Sequence, residues 1–138
     1  MTADSQLAMQ GAVLAALQGD ASLTALLANG AGSILDHVPS GTAFPYVVIG
    51  EAKATDFGSK TSDGMDLLMT IHSWSQHQGM QEVKQIMAAV VDVLDRADLA
   101  VSGHNLILLR FQSSEVALAE DGVTRHGIQR FRALTEAV

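Results

Sequence analysis

The chain has 138 residues, 17% charged and 48% hydrophobic, with 4% aromatic, six Met and no Cys. That is the size of one globular domain that buries its own core without a staple, and the missing Cys removes disulfides, thiolate metal sites and thiol nucleophiles together. Fifteen acids against eight bases give a net charge of −7, which excludes a sequence-independent grip on nucleic-acid phosphates, because that needs clustered Lys and Arg.

A single domain over residues 1–138 is therefore expected. Leu7, Gly11, Leu14 and Leu17, with Met9 and Val13 flanking, predict a first helix over 4–18, capped by Thr2 or Asp4 and stopped by Gly19. Asp20 suits the N-cap of a second short helix, Ala21 to Ala28, stopped by Asn29-Gly30. Residues 30–33 read as a turn, Ile34 to Val38 as a short strand, and Pro39 to Pro45 as a loop. Tyr46 to about Thr55 reads as a strand, its start marked by Pro45, which has no ladder hydrogen bond to donate.

Residues 56–64, with Gly58, Ser59, Ser62, Asp63 and Gly64, have loop chemistry. The next strand, Met65 to Trp74, sets Met65, Leu67, Met69 and Ile71 toward the core and Asp66, Leu68, Thr70, His72 and Trp74 away from it. Over 79–97, Val83, Ile86, Met87, Val90, Leu94 and Ala97 recur at three- and four-residue spacing and predict the long helix. A strand from Asn105 to about Val116 alternates Ile107, Leu109 and Phe111 against Leu106, Leu108 and Arg110; after a turn at 120–122, Thr124 to Leu134 gives another. The order α-α-β-β-α-β-β predicts an α+β domain: an antiparallel sheet of about four strands packed on one long helix, preceded by two short helices.

No stretch approaches the roughly 20 apolar residues of a membrane span. The start, Met1-Thr2-Ala3-Asp4, lacks the basic segment of a signal peptide, so a cytoplasmic product is expected. Catalytic motifs are missing too: there is no Gly-x-Ser-x-Gly elbow and no His-Glu-x-x-His. His72 and His77 straddle a strand end without a third ligand nearby, and Asp56, Asp63 and Asp66 miss the spacing of a calcium loop. No catalytic residue, metal or cofactor is expected. Asp92, Asp95 and Asp98 end the long helix, where acids oppose its dipole. Residues 1–104 hold 11 acids and 4 bases, whereas 105–138 hold 4 of each, all four bases being Arg. Arg130 and Arg132 share a sheet face, and either exposure or an ion pair to a neighbouring strand or subunit suits them and Arg125.

Four stretches carry a family resemblance: Asp36-His37-Val38-Pro39, Phe44 to Gly50, His72-Ser73-Trp74-Ser75 running into Gly79 and Glu82-Val83, and Asp121-Gly122 to Arg132. Their order and spacing, over nearly the whole chain, resemble the tail-completion (tail-terminator) proteins of long-tailed phages, in particular the versions of gene transfer agents. Where that family often has Arg-Ile-Tyr-Asp, this chain has Ser33-Ile34-Leu35-Asp36, so no role of that Arg or Tyr transfers. The resemblance implies a non-enzymatic ring, commonly a hexamer, at the neck end of a virion tail. Such a ring caps the tail tube, stops its polymerisation and meets the head-side connector, while DNA passes through the lumen without specific binding.

On that footing Lys53, Asp56, Phe57, Lys60 and Asp63 are candidates for contact with the tube or a neighbour. Arg125, Arg130, Arg132, Asp92 and Asp95 are candidates for contacts between copies. Two alternatives stand beside this: a head–tail connector adaptor or stopper, and a small-molecule-binding or hydrolytic α+β domain using His72, His77 and Asp66.

Overall fold

Helix α1 runs Ser5–Gln18 and ends where the Gly19 N–H reaches the Ala15 carbonyl at 3.0 Å. The computed structural model describes residues 5–61 and 63–138; Thr2 and Asp4, expected as caps, and Ser62 of the hairpin loop lie outside the described residues. Asp20 caps helix α2, Ala21–Thr24, accepting the Leu23 N–H at 2.9 Å. This helix stops short of Ala28, whose N–H goes instead to the Pro45 carbonyl at 3.1 Å. The expected turn at Gly30–Ser33 winds into one turn of 3-10 helix.

Strands β1 (Ile34–Leu35), β2 (Tyr46–Asp56) and β3 (Gly64–Ser75) precede helix α3 (Gln81–Leu94), and β4 (His104–Leu118) and β5 (Arg125–Ala137) follow it. They form one mixed five-stranded sheet in the order β1-β2-β3-β5-β4. The antiparallel four are the expected hairpins, joined through β3 and β5. The fifth, β1, pairs parallel with β2 through Ile34–Val47 and Leu35–Val48, too short a run for its own alternation to show. The expectation of one long helix over four strands is corrected a second time, because α1 has 14 residues, the same as α3.

Both long helices cover one face of the sheet. The stripe of α3, Val83, Ile86, Met87, Val90 and Leu94, is buried as its spacing predicts, against Leu67 and Ile71 of β3 and Phe131 and Ala133 of β5. Full burial of each large side chain contributes roughly 1.5–3 kcal/mol. In α1 the buried stripe is Ser5, Met9, Val13 and Leu17 rather than the one drawn through Leu7, Gly11 and Leu14, and Leu7 is 72% exposed. This helix is apolar on every side, so sequence contrast does not set its phase.

Strand β4 also departs from simple alternation. Its pairing with β5 slips between Leu106 and Leu108 and again between Phe111 and Ser113. Each bulge reverses which side chains face the helices. Leu109 stays buried and Phe111 packs on the core; Leu106, expected on the other side, joins them, while Ile107, expected with Leu109 and Phe111, is 48% exposed. Helix α3 closes through Arg96 at φ 63°, whose N–H donates to the Leu109 carbonyl at 2.7 Å, and through Asp95, which accepts the Phe111 N–H at 2.9 Å. The helix end is thereby stitched along the outer edge of β4.

Candidate functional site

The second face of the sheet carries no helix among the described residues. It presents Asp66, Leu68, Thr70, His72 and Trp74 from β3 beside His126, Ile128, Arg130, Arg132 and Leu134 from β5. One end of this face is an aromatic and imidazole row running across three strands. Tyr46 stacks with Trp74 at 6.5 Å between ring centres, Trp74 with His126 at 3.7 Å, and His126 with His72 at 4.9 Å. His72 Nδ1 lies 2.7 Å from His126 Nε2, and His72 Nε2 lies 2.7 Å from Glu51 Oε1.

An ionised Glu51 only accepts, so His72 donates to it from Nε2; a neutral His72 then accepts at Nδ1 the N–H of His126 Nε2. The bond to His72 holds the Glu51 carboxyl below its ordinary value. Burial, and then the neighbouring His72, hold the His126 imidazole below its ordinary 6.5. Gly50 makes room for this arrangement, since a Cβ there would come within 2.5 Å of the His72 ring.

Farther along the same face Arg132 makes a two-pronged bond to Asp66, Nε to Oδ1 at 3.0 Å and a terminal N–H to Oδ2 at 2.9 Å. This bond lowers the Asp66 carboxyl and raises the guanidinium. Arg130 lies 3.5 Å from Glu115 of β4. Both arginines thus take acids of neighbouring strands. Arg125 falls on the opposite face by alternation and donates a terminal N–H to the Val123 carbonyl at 2.6 Å.

Lys53 lies near Arg132 and Leu68 in a shallow depression of about 230 Å³ that also includes Thr55 and Asp66. At the hairpin tip Asp56 accepts the Gly58 N–H at 3.2 Å, and the Phe57 ring covers Gly64, where a Cβ would meet it at 2.9 Å. Phe57 is still 44% exposed, with Lys60 and Asp63 exposed beside it. Asp92 is exposed on α3, whereas Asp95 is spent on the Phe111 N–H and on Arg110, whose Nε lies 3.6 Å away. The candidates therefore divide between the open face with its hairpin tip, the end of α3 and, for Arg125, the opposite face at the start of β5; the structure does not gather them into one patch.

His72 and His77 do not converge: His77 Nδ1 faces the Gln78 carbonyl at 3.0 Å, and no trio of metal-ligating side chains occurs among the described residues. What sequence reasoning missed is the partnership of His72 with His126 and Glu51. His72 and His126 lie 54 positions apart and meet only because β3 pairs with β5. The alternation that placed His72 and Trp74 on the outer face of their strand was the available signal, but it did not name the partner strand.

The family model described as "Tail completion protein gp17" matches residues 11–136. The tail completion protein gp17 of Bacillus phage SPP1 is 33% identical over 89 residues, which is 64% of this chain and 66% of that protein, just under two thirds of its length. Among solved structures, a chain from the virion of a native gene transfer agent particle superposes with a TM-score of 0.88 at 31% identity, covering 96% of this chain and 98% of that one.

Proposed function

Because this chain belongs to the tail completion protein gp17 family, we propose that copies of it close into a ring that caps the end of a tail tube, stops its polymerisation and joins it to the head-side connector. The family is one of structural tail proteins, not enzymes, and the chain is a component of a virion or gene transfer agent particle, associated with other virion proteins. The observation that carries the reading is the agreement, over 96% of the chain, with a virion component.

Three features support the finer steps. One face of the sheet is left open by the helices, with Leu68, Arg130 and Arg132 on it, and that is a surface a neighbouring subunit can cover. The hairpin tip at residues 57–61 and 63 is exposed and suits contact with a tube or neighbour. A net charge of −7 on each protomer sets up a field that repels a passing polyanion, so DNA would cross the lumen without sticking.

The test combines purified tail tubes with the chain, with electron microscopy for tube length and native mass spectrometry for the bound species. The expected outcome is tubes blocked at one end by a closed oligomer and no longer elongating. A chain that neither binds tubes nor blocks their growth overturns the reading. Binding to the portal-side ring in place of the tube would make the protein an adaptor or stopper instead.

A further inference from the structure

The sheet has two lateral edges, and each is covered over only part of its length. On one side β1 pairs with β2 at Val47 and Val48 alone, so among the described residues no strand lies beside 49–56. On the other, the helix-end segment at Asp95 and Arg96 takes the outward groups of Leu109 and Phe111, and no strand of the described residues lies outside 113–118. Neither stretch contains Pro, so each presents a row of unpaired backbone groups of the kind that templates strand addition.

We infer that these two edges are the contact between copies: residues 50–55 of β2 in one protomer add antiparallel to 113–118 of β4 in the next. This rests on the ring reading above and specifies how the ring is joined. Strand direction follows from the sheet. Since β2, β3, β5 and β4 alternate in sense, the β2 of a following copy that continues the sheet runs opposite to β4. The contact joins different surfaces of successive copies, head to tail, and such a contact makes a ring when the rotation from copy to copy closes.

The register is set by what is already covered. Through the existing pairs Glu115 is level with Ile128, His72 and Val48, and Val48 is where β1 sits. A level junction would therefore drive β4 into β1. Moving the neighbour so that Lys53 stands opposite Glu115 clears both obstacles: β1 falls beyond the end of β4, and the Asp95–Arg96 segment falls beyond the end of β2. Sheets closed on themselves need such a stagger, which they take up as strand tilt.

Side chains agree with this register. Lys53 projects on the open face and has no ion-pair partner among the described residues, and Glu115 projects on the same face toward Arg130. On the helical face Ala52 meets Val116 and Ala54 meets Ser114, small against small. Beside that edge lies an apolar groove of about 270 Å³ with Met87, Val91, Phe111 and Val116 in its wall, which the joined strand would flank.

The absence of native Cys makes the test clean. A chain carrying Lys53→Cys and Glu115→Cys, assembled on purified tail tubes and oxidised, is expected to give a ladder of disulfide-linked oligomers ending at the ring size. Neither single variant should link beyond a dimer. Hydrogen exchange on the unmodified chain gives a second reading, with residues 50–55 and 113–118 gaining protection on assembly. A double variant that caps tubes yet forms no ladder, or assembled wild-type chain with those amides still exchanging freely, overturns the edge junction and leaves the terminator reading standing. Failure of the wild-type chain to cap tubes would overturn the terminator reading itself.

Discussion

The outer face of the sheet ties function to single residues through the pair His72–His126. With Glu51 ionised, the pair holds one bridging proton; a second proton on both rings would place two donors 2.7 Å apart and break the bond. His126 is also half-buried against Trp74, so its folded state disfavours charge. The unfolded chain binds a proton here near pH 6.5 and the folded chain only at lower pH, so stability falls as pH drops through 6.5 and this contribution is flat well above it. Glu51 acts in a lower window, since its carboxyl is depressed below 4.5 and its contribution is lost as pH falls through that lowered value. Proton NMR should give His126 a titration midpoint below 6.5, and urea midpoints should fall from pH 7.5 to 5.5 more steeply for the wild type than for His126→Phe, which keeps the stack but cannot titrate. Equal slopes would mean that the pair does not form in solution. Little of this was legible from the chain: alternation places His72 and Trp74 on the outer face, but the partner of His72 depends on which strand β3 adopts as its second neighbour.

At the scale of elements, legibility followed contrast. The stripe of helix α3 from Val83 to Leu94 is legible because its apolar residues lie together against Gln81, Lys84, Gln85 and Asp92, but the helix stops at Leu94, short of the expected 97, where Arg96 turns to positive φ and leaves Ala97 and Asp98 outside it. Helix α1 was misphased because Leu7 and Leu14 lie off the buried stripe and offer as much apolar surface as Met9 and Val13. In β4 the bulge near Ile107 breaks the two-residue period, which no local residue announces. The bulge has a measurable consequence: Leu109→Ala should cost about 2–5 kcal/mol in chemical denaturation as a buried side chain is lost. Ile107→Thr, at a position simple alternation would equate with it, should change stability by less than about 0.5 kcal/mol. Costs of similar size at the two positions would restore the unbroken strand. The seat of α3 gives a second check. Gly127 of β5 lies so close under the helix that a Cβ would sit 2.5 Å from the Met87 sulfur and 3.2 Å from Val83. The flexible end of Met87 can shift toward its groove, but Val83 beside it is fully buried, so Gly127→Val should destabilise by about 1–3 kcal/mol through overpacking, read from the denaturation midpoint.

For the whole molecule the question is which parts serve folding and which serve assembly, and the structure separates them. The core lies between the two long helices and one face of the sheet, while the hairpin tip at 57–61 packs little beyond the Phe57 ring over Gly64. Its local ties are the Phe57 N–H on the Gly64 carbonyl, the Asp56 carboxylate on the Gly58 N–H and the exposed Ser59–Thr61 contacts. Closing a shorter loop changes the entropy of closure by only a fraction of a kcal/mol, since that cost grows with the logarithm of length. Replacing residues 58–61 with Gly-Ser should therefore leave the thermal midpoint nearly unchanged while β2 and β3 keep their register. If this tip reaches the tube, the same change should lengthen tails in assembly reactions, because a ring that no longer seats on the last tube layer no longer stops the next layer from adding. Edge-to-edge joining of copies does not use the tip, so cross-linking between Cys at 53 and 115 should persist in the shortened chain. Normal tail lengths with the shortened tip would assign tube contact elsewhere on the ring, and a lost cross-link would show that the tip also holds neighbouring copies together.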